Sequence, residues 1–93
     1  MAGPKYVADP PDLLRTVELD GLTALFHLPS GTTHILAPPA PQILGALAAG
    51  PATASTIMTR IRHKFSIDGG RGTMLMLEAR LQELERAGLV SRR

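Results

Sequence analysis

The stretch LLRTVELDGLTALFHLPSGTTHIL, residues 13–36, decides the fold. Short apolar segments alternate with turn signals here, and the turns differ in kind. Asp20-Gly21 sits between Leu13–Leu19 and Leu22–Leu28, and both positions of this dipeptide tolerate the positive φ of a tight two-residue hairpin. Pro29-Ser30-Gly31 then separates Leu22–Leu28 from Thr32–Leu36, a β-branched and apolar run that ends before Pro38-Pro39. The expectation is a three-stranded antiparallel meander. A turn centred on Ser30-Gly31 would oppose Leu28 to Thr33, His27 to His34 and Phe26 to Ile35.

The character changes on both sides of the meander. Upstream, residues 1–12 contain Gly3, Pro4, Pro10 and Pro11 and show no periodicity, so they read as a flexible N-terminal arm. Downstream the apolar period changes from two to three and four. Pro38 and Pro39 suit a helix start, where the first N–H groups have no intrahelical partner. Ile43, Leu44 and Leu47 form the stripe of a first helix that stops at Gly50-Pro51. Thr53 is placed to cap a second helix carrying Ala54, Ile57, Met58, Ile61 and Phe65 on one face. Ile67-Asp68-Gly69-Gly70 breaks that pattern. A third helix follows with Met74, Leu77, Leu81 and Leu84, and Ala87-Gly88-Leu89-Val90 closes it as a glycine cap with an apolar residue folding back. The fold class is therefore α+β and winged-helix-like: a three-stranded antiparallel N-terminal sheet followed by three helices, forming one domain over residues 13–90 with a C-terminal tail at 91–93. One edge of the sheet is expected to stay unpaired.

Composition narrows the chemistry. A chain of 93 residues with 44% hydrophobic and 19% charged side chains has the make-up of one modest globular domain. The absence of cysteine excludes disulfides, a thiolate nucleophile and Cys-based zinc sites. The N-terminus lacks a signal-like apolar stretch and no run is long enough to span a bilayer, so a cytoplasmic protein without a membrane partner is the expectation. The net charge of +2 is unevenly divided, because residues 1–37 hold two Lys/Arg against four acids and residues 38–93 hold the remaining eight against four.

No catalytic or metal constellation stands out. The acids are scattered over the arm, a turn and a helix surface, and Ser30, Ser55, Ser66 and Ser91 have no nucleophile signature around them. Gly69-Gly70-Arg71-Gly72 follows a helix rather than a strand and lacks the spacing of a phosphate loop. His27 and His34, if opposed, offer two imidazoles, too few for a site without a third ligand. No enzyme activity, cofactor or metal is expected. The basic group Arg60, Arg62, His63 and Lys64 leaves winged-helix nucleic-acid binding as the alternative reading. Against it, the third helix, in the recognition position, sets Arg80 and Arg86 against Glu78, Glu83 and Glu85. That helix also begins apolar nearly all round. Leu75 falls outside the core stripe, near Ala79 and Gln82 with Glu78 between, which leaves room for a peptide groove beside an open strand edge.

The run from His27 to Leu36, the Ile43-Leu44 helix, Gly50-Pro51 and the closing Leu81, Leu84, Gly88, Leu89 and Val90 resemble the PqqD-like peptide chaperones over about residues 14–90. The subgroup found with relatives of the HPr serine kinase is the most similar. The resemblance implies a non-catalytic domain that binds the leader segment of a ribosomally made precursor peptide as an added strand and delivers it to a modifying enzyme or an HPr-kinase-like partner. Carried onto this chain, Thr33, His34, Ile35 and Leu36 would pair with the leader, and Leu75, Glu78, Ala79 and Gln82 would line the groove. The chain departs from the pattern after Leu36, where relatives often place a helix-capping Asn and this sequence has Ala37 before two prolines. An open edge also leaves pairing with a second copy available.

Overall fold

The computed structural model describes residues 3–64 and 71–93. Its strands are β1 (Lys5–Ala8), β2 (Leu14–Leu19), β3 (Leu22–His27), β4 (Thr32–Leu36), β5 (Ala52–Thr53) and β6 (Val90–Arg92), and its helices are α1 (Ala40–Leu47), α2 (Ala54–Lys64) and α3 (Arg71–Arg86). The meander β2-β3-β4 followed by three helices forms the winged-helix-like α+β arrangement. Phe65 and the Gly69-Gly70 break lie outside the described residues.

The first turn forms as its residues dictate. Asp20 takes φ 50° and Gly21 φ 82°, both left-handed, and Leu19 directly opposes Leu22. The second turn differs from the expectation. The Gly31 amide donates to the His27 carbonyl at 2.8 Å, closing a four-residue loop, so Phe26 opposes Thr33 and His27 opposes Thr32. The pairing is thus displaced by two residues from a turn centred on Ser30-Gly31. A shift of two preserves which face each side chain occupies but separates His27 from His34, whose partner is Leu25.

The helices pack one apolar stripe each into a common core. Ile43, Leu44 and Leu47 of α1, Ile57, Met58 and Ile61 of α2, and Leu77, Leu81 and Leu84 of α3 are buried together with Leu25 of β3. Thr53 caps α2 through its side chain, with the Thr56 amide donating to Oγ1 at 3.3 Å. Gly88, at φ 80°, ends α3, and the Leu89 amide reaches back to the Leu84 carbonyl at 3.0 Å, which folds Leu89 into the core.

The stretch read as a flexible arm carries regular structure. Lys5–Ala8 lies between β5 and β6, antiparallel to both, and Tyr6 is buried in the core. Ser91 and Arg92, read as tail, pair with Val7 and Tyr6. Pro10 and Pro11 end this strand on one side without entering it, and a short 3-10 turn, Pro11–Leu13, leads into β2.

Candidate peptide-binding surface

Among the described residues the strands form two three-stranded sheets, β5-β1-β6 and β2-β3-β4, and the second has the longer edges. Its hydrogen-bond pattern can be read from one bond. The Leu28 amide donates to the Leu13 carbonyl at 3.0 Å, and these residues stand one step beyond the Leu14–His27 pair. Opposed antiparallel residues alternate between bonded and non-bonded pairs. Arg15–Phe26, Val17–Ala24 and Leu19–Leu22 are therefore bonded, so Leu22, Ala24 and Phe26 turn their backbone groups toward β2. Thr23, Leu25 and His27 turn theirs toward Leu36, His34 and Thr32 of β4. By the same alternation Thr33 and Ile35 aim their N–H and C=O groups away from the sheet, at the open edge of β4. On the opposite edge Thr16 and Glu18 of β2 do the same.

Side chains alternate with the backbone groups. Thr23, Leu25 and His27 of β3 face the core, so their partners Leu36, His34 and Thr32 share that side, and Leu36 packs against the core cluster. Thr33 and Ile35 face outward, and Ile35 is 61% exposed.

The buried His27 anchors a chain of polar contacts that ends on the candidate strand. Its Nε2 lies 2.5 Å from Asp9 Oδ2 and its Nδ1 lies 2.7 Å from Ser30 Oγ. Ser30 Oγ is 2.7 Å from Thr32 Oγ1, which is 3.0 Å from His34 Nε2. The carboxylate can only accept, so His27 Nε2–H donates to Asp9. With neutral His27, every remaining bond runs in one direction: His34 to Thr32, Thr32 to Ser30, Ser30 to His27. Carboxylate, imidazole and hydroxyl fall in line here, but the amides beside the hydroxyl are engaged, Gly31 with the His27 carbonyl and Thr32 with Ser30 Oγ itself at 3.4 Å. Neither amide is free to stabilise a developing oxyanion. The arrangement is a clasp that ties the end of the N-terminal segment to the β3–β4 turn.

The helix half of the predicted site lies beside β1. Leu75 is 62% exposed, Glu78 and Gln82 are exposed, and Ala79 is half-buried. Glu78 borders a cleft of about 370 Å³ with Tyr6, Met74 and Ser55, and Gln82 borders another of about 450 Å³ with Tyr6, Glu85 and Arg92. Sequence reasoning had no signal for Tyr6 as their neighbour, because its strand was read as an arm. It also missed the Asp9–His27 clasp. The available hint was a histidine on the same side of its strand as Leu25, beside a turn rich in hydroxyls.

Three of the ten Lys and Arg side chains, Arg60, Arg80 and Arg92, have partners within the described residues. Arg60 donates through Nη1 to the Ala46 carbonyl at 2.8 Å and the Gly50 carbonyl at 3.4 Å, capping the end of α1. Arg80 pairs with Glu83 at 3.3 Å and Arg92 with Glu85 at 2.9 Å. Among the described residues no group of three or more His, Cys, Asp or Glu is placed to hold a metal ion, and no helix is long and apolar enough to cross a membrane.

No family model and no curated protein matches the sequence. Among solved structures, the chain is similar to TbiB1 in complex with the TbiA(beta) leader peptide, with 24% identity, a TM-score of 0.62, and coverage of 91% of this chain and 94% of that chain. Over nearly its whole length, then, the chain has the fold of TbiB1.

Proposed function

We propose that this chain is a non-catalytic, cytoplasmic PqqD-like domain that takes up the leader segment of a ribosomally made precursor peptide as a strand added to β4. It presents that peptide to a modifying enzyme or HPr-kinase-like partner. The observation that carries the reading is the edge of β4, where Thr33 and Ile35 aim N–H and C=O groups outward with no strand paired to them among the described residues. A strand five residues long offers enough main-chain bonds for a peptide to complete the sheet, while side chains on the two faces supply selectivity. The clasp from Asp9 to His34 holds this edge in place before any peptide arrives, which lowers the ordering cost of binding. Leu75, Glu78, Ala79 and Gln82 of α3, which lie beside β1, are assigned to the part of the leader that extends beyond the added strand. The likeness to a protein solved with a leader peptide bound supports the same reading.

The test is a calorimetric titration with synthetic leader segments taken from short reading frames flanking the gene. Thr33→Pro removes one outward N–H and is expected to weaken binding at least about tenfold, a loss of about 1.4 kcal/mol. Leader binding that survives Thr33→Pro and Ile35→Pro unchanged rules out strand addition at β4.

A further inference from the structure

The outer face of the β2-β3-β4 sheet is apolar although it is exposed. Val17, Leu19, Leu22, Phe26 and Ile35 all lie on it, with Val17 at 59% exposure, and Leu28 continues the row just beyond β3. Thr23 and His27, the polar residues of β3, are on the buried side. Six large apolar side chains exposed side by side on one sheet face, rather than scattered singly, mark an association surface.

We infer that this face packs against the same face of a second copy of the chain, forming a two-sheet sandwich about a two-fold axis. The placement of Arg15 and Asp20 selects this occupant. The central row is Val17, Ala24 and Ile35, two register positions from Arg15 and Phe26 on one side and from Leu19 and Leu22 on the other. A two-fold axis through that row and perpendicular to the strands lays the Arg15 end of one sheet over the Leu19 end of its mate. Asp20 stands at the tip of that end. Each Arg15 then meets the Asp20 of the other copy, giving two equivalent pairs, as an isologous contact requires. The apolar rows supply the attraction and the two ion pairs set the direction.

Size sets the strength. A face of three strands and five residues projects to roughly 15 by 17 Å, whereas stable partners each bury about 800 Å². The dimer is therefore a weak one, with a dissociation constant in the micromolar range. This inference does not rest on the peptide reading, since it uses the outward side chains of the sheet, Ile35 among them, and neither the backbone edge of β4 nor α3.

Sedimentation velocity of the intact chain without peptide, from about 0.1 μM to about 1 mM, brackets a micromolar constant. The expected result is a concentration-dependent shift from monomer to dimer. Val17→Lys is expected to weaken association at least about tenfold, with an unchanged thermal midpoint confirming that the fold is intact. Arg15→Asp and Asp20→Lys should each weaken it about threefold alone, and an equimolar mixture of the two should dimerise more strongly than either, because both pairs are complementary in the mixed dimer. A chain that stays monomeric to the highest concentration overturns the inference, whether or not another protein uses the face. So does a dimer indifferent to Val17→Lys, or a mixture no stronger than its components.

Discussion

The two three-stranded sheets have opposite designs. In β5-β1-β6 the pairing joins residues near both ends of the chain to its middle, and the outer strands have only two and three residues. In β2-β3-β4 successive segments fold back on one another, and the outer strands have six and five residues. Short edges offer little template to another chain, whereas long ones present a row of backbone groups. The first sheet closes the structure around Tyr6. The second leaves its edges and outer face open, and the binding proposed for this chain belongs to it.

Substitutions can break that contrast. The largest effect is expected at Tyr6, where Tyr6→Ala empties a core position at 7% exposure and should lower stability by about 3–5 kcal/mol in urea unfolding. A small change there would mean that the closing sheet does not hold the fold. Next is a pair of prolines on adjacent residues of β4. His34→Pro removes an N–H directed at β3 and should cost about 3 kcal/mol, while Thr33→Pro removes only an outward N–H and should cost under about 1 kcal/mol. Equal effects would mean that the bonded pairs are misassigned. Smaller still, His27→Ala deletes the contacts to Asp9 and Ser30 and should cost about 2 kcal/mol by thermal or urea unfolding. Asp9→Ala, which removes a half-exposed partner, should cost about 1 kcal/mol.

The same contrast explains what the sequence disclosed. Asp20-Gly21 specifies its own turn by local backbone preference, and three-to-four spacing marks the buried stripes of the helices, so the order of three strands and three helices is legible. Strands β1, β5 and β6 are two to four residues long and meet partners far along the chain, so neither period nor turn chemistry announces them. The β3–β4 register was displaced because Pro29-Ser30-Gly31 marks a turn without fixing its length. The faces of β3 were harder. Leu22, Ala24 and Leu25 are apolar on both sides of the strand, and the polar Thr23 and His27 are buried because Glu18, Asp9 and Ser30 satisfy them. Alternation alone therefore cannot say which side meets the core. At the candidate site, Thr33–Leu36 share one strand, as their β-branched run implies, but Asp9 and Tyr6 come from the segment without a readable pattern.

Strand addition at β4 turns on the amides of Thr33 and Ile35. Residue-resolved hydrogen exchange on the chain with and without a leader segment tests it most directly. His34 and Leu36, bonded to β3, should be protected in both states, and Thr33 and Ile35 should exchange rapidly alone and slow at least about tenfold when the leader is bound. Bound leader with Thr33 and Ile35 still exchanging freely, or with protection appearing at Thr16 and Glu18 of β2 instead, would contradict the account.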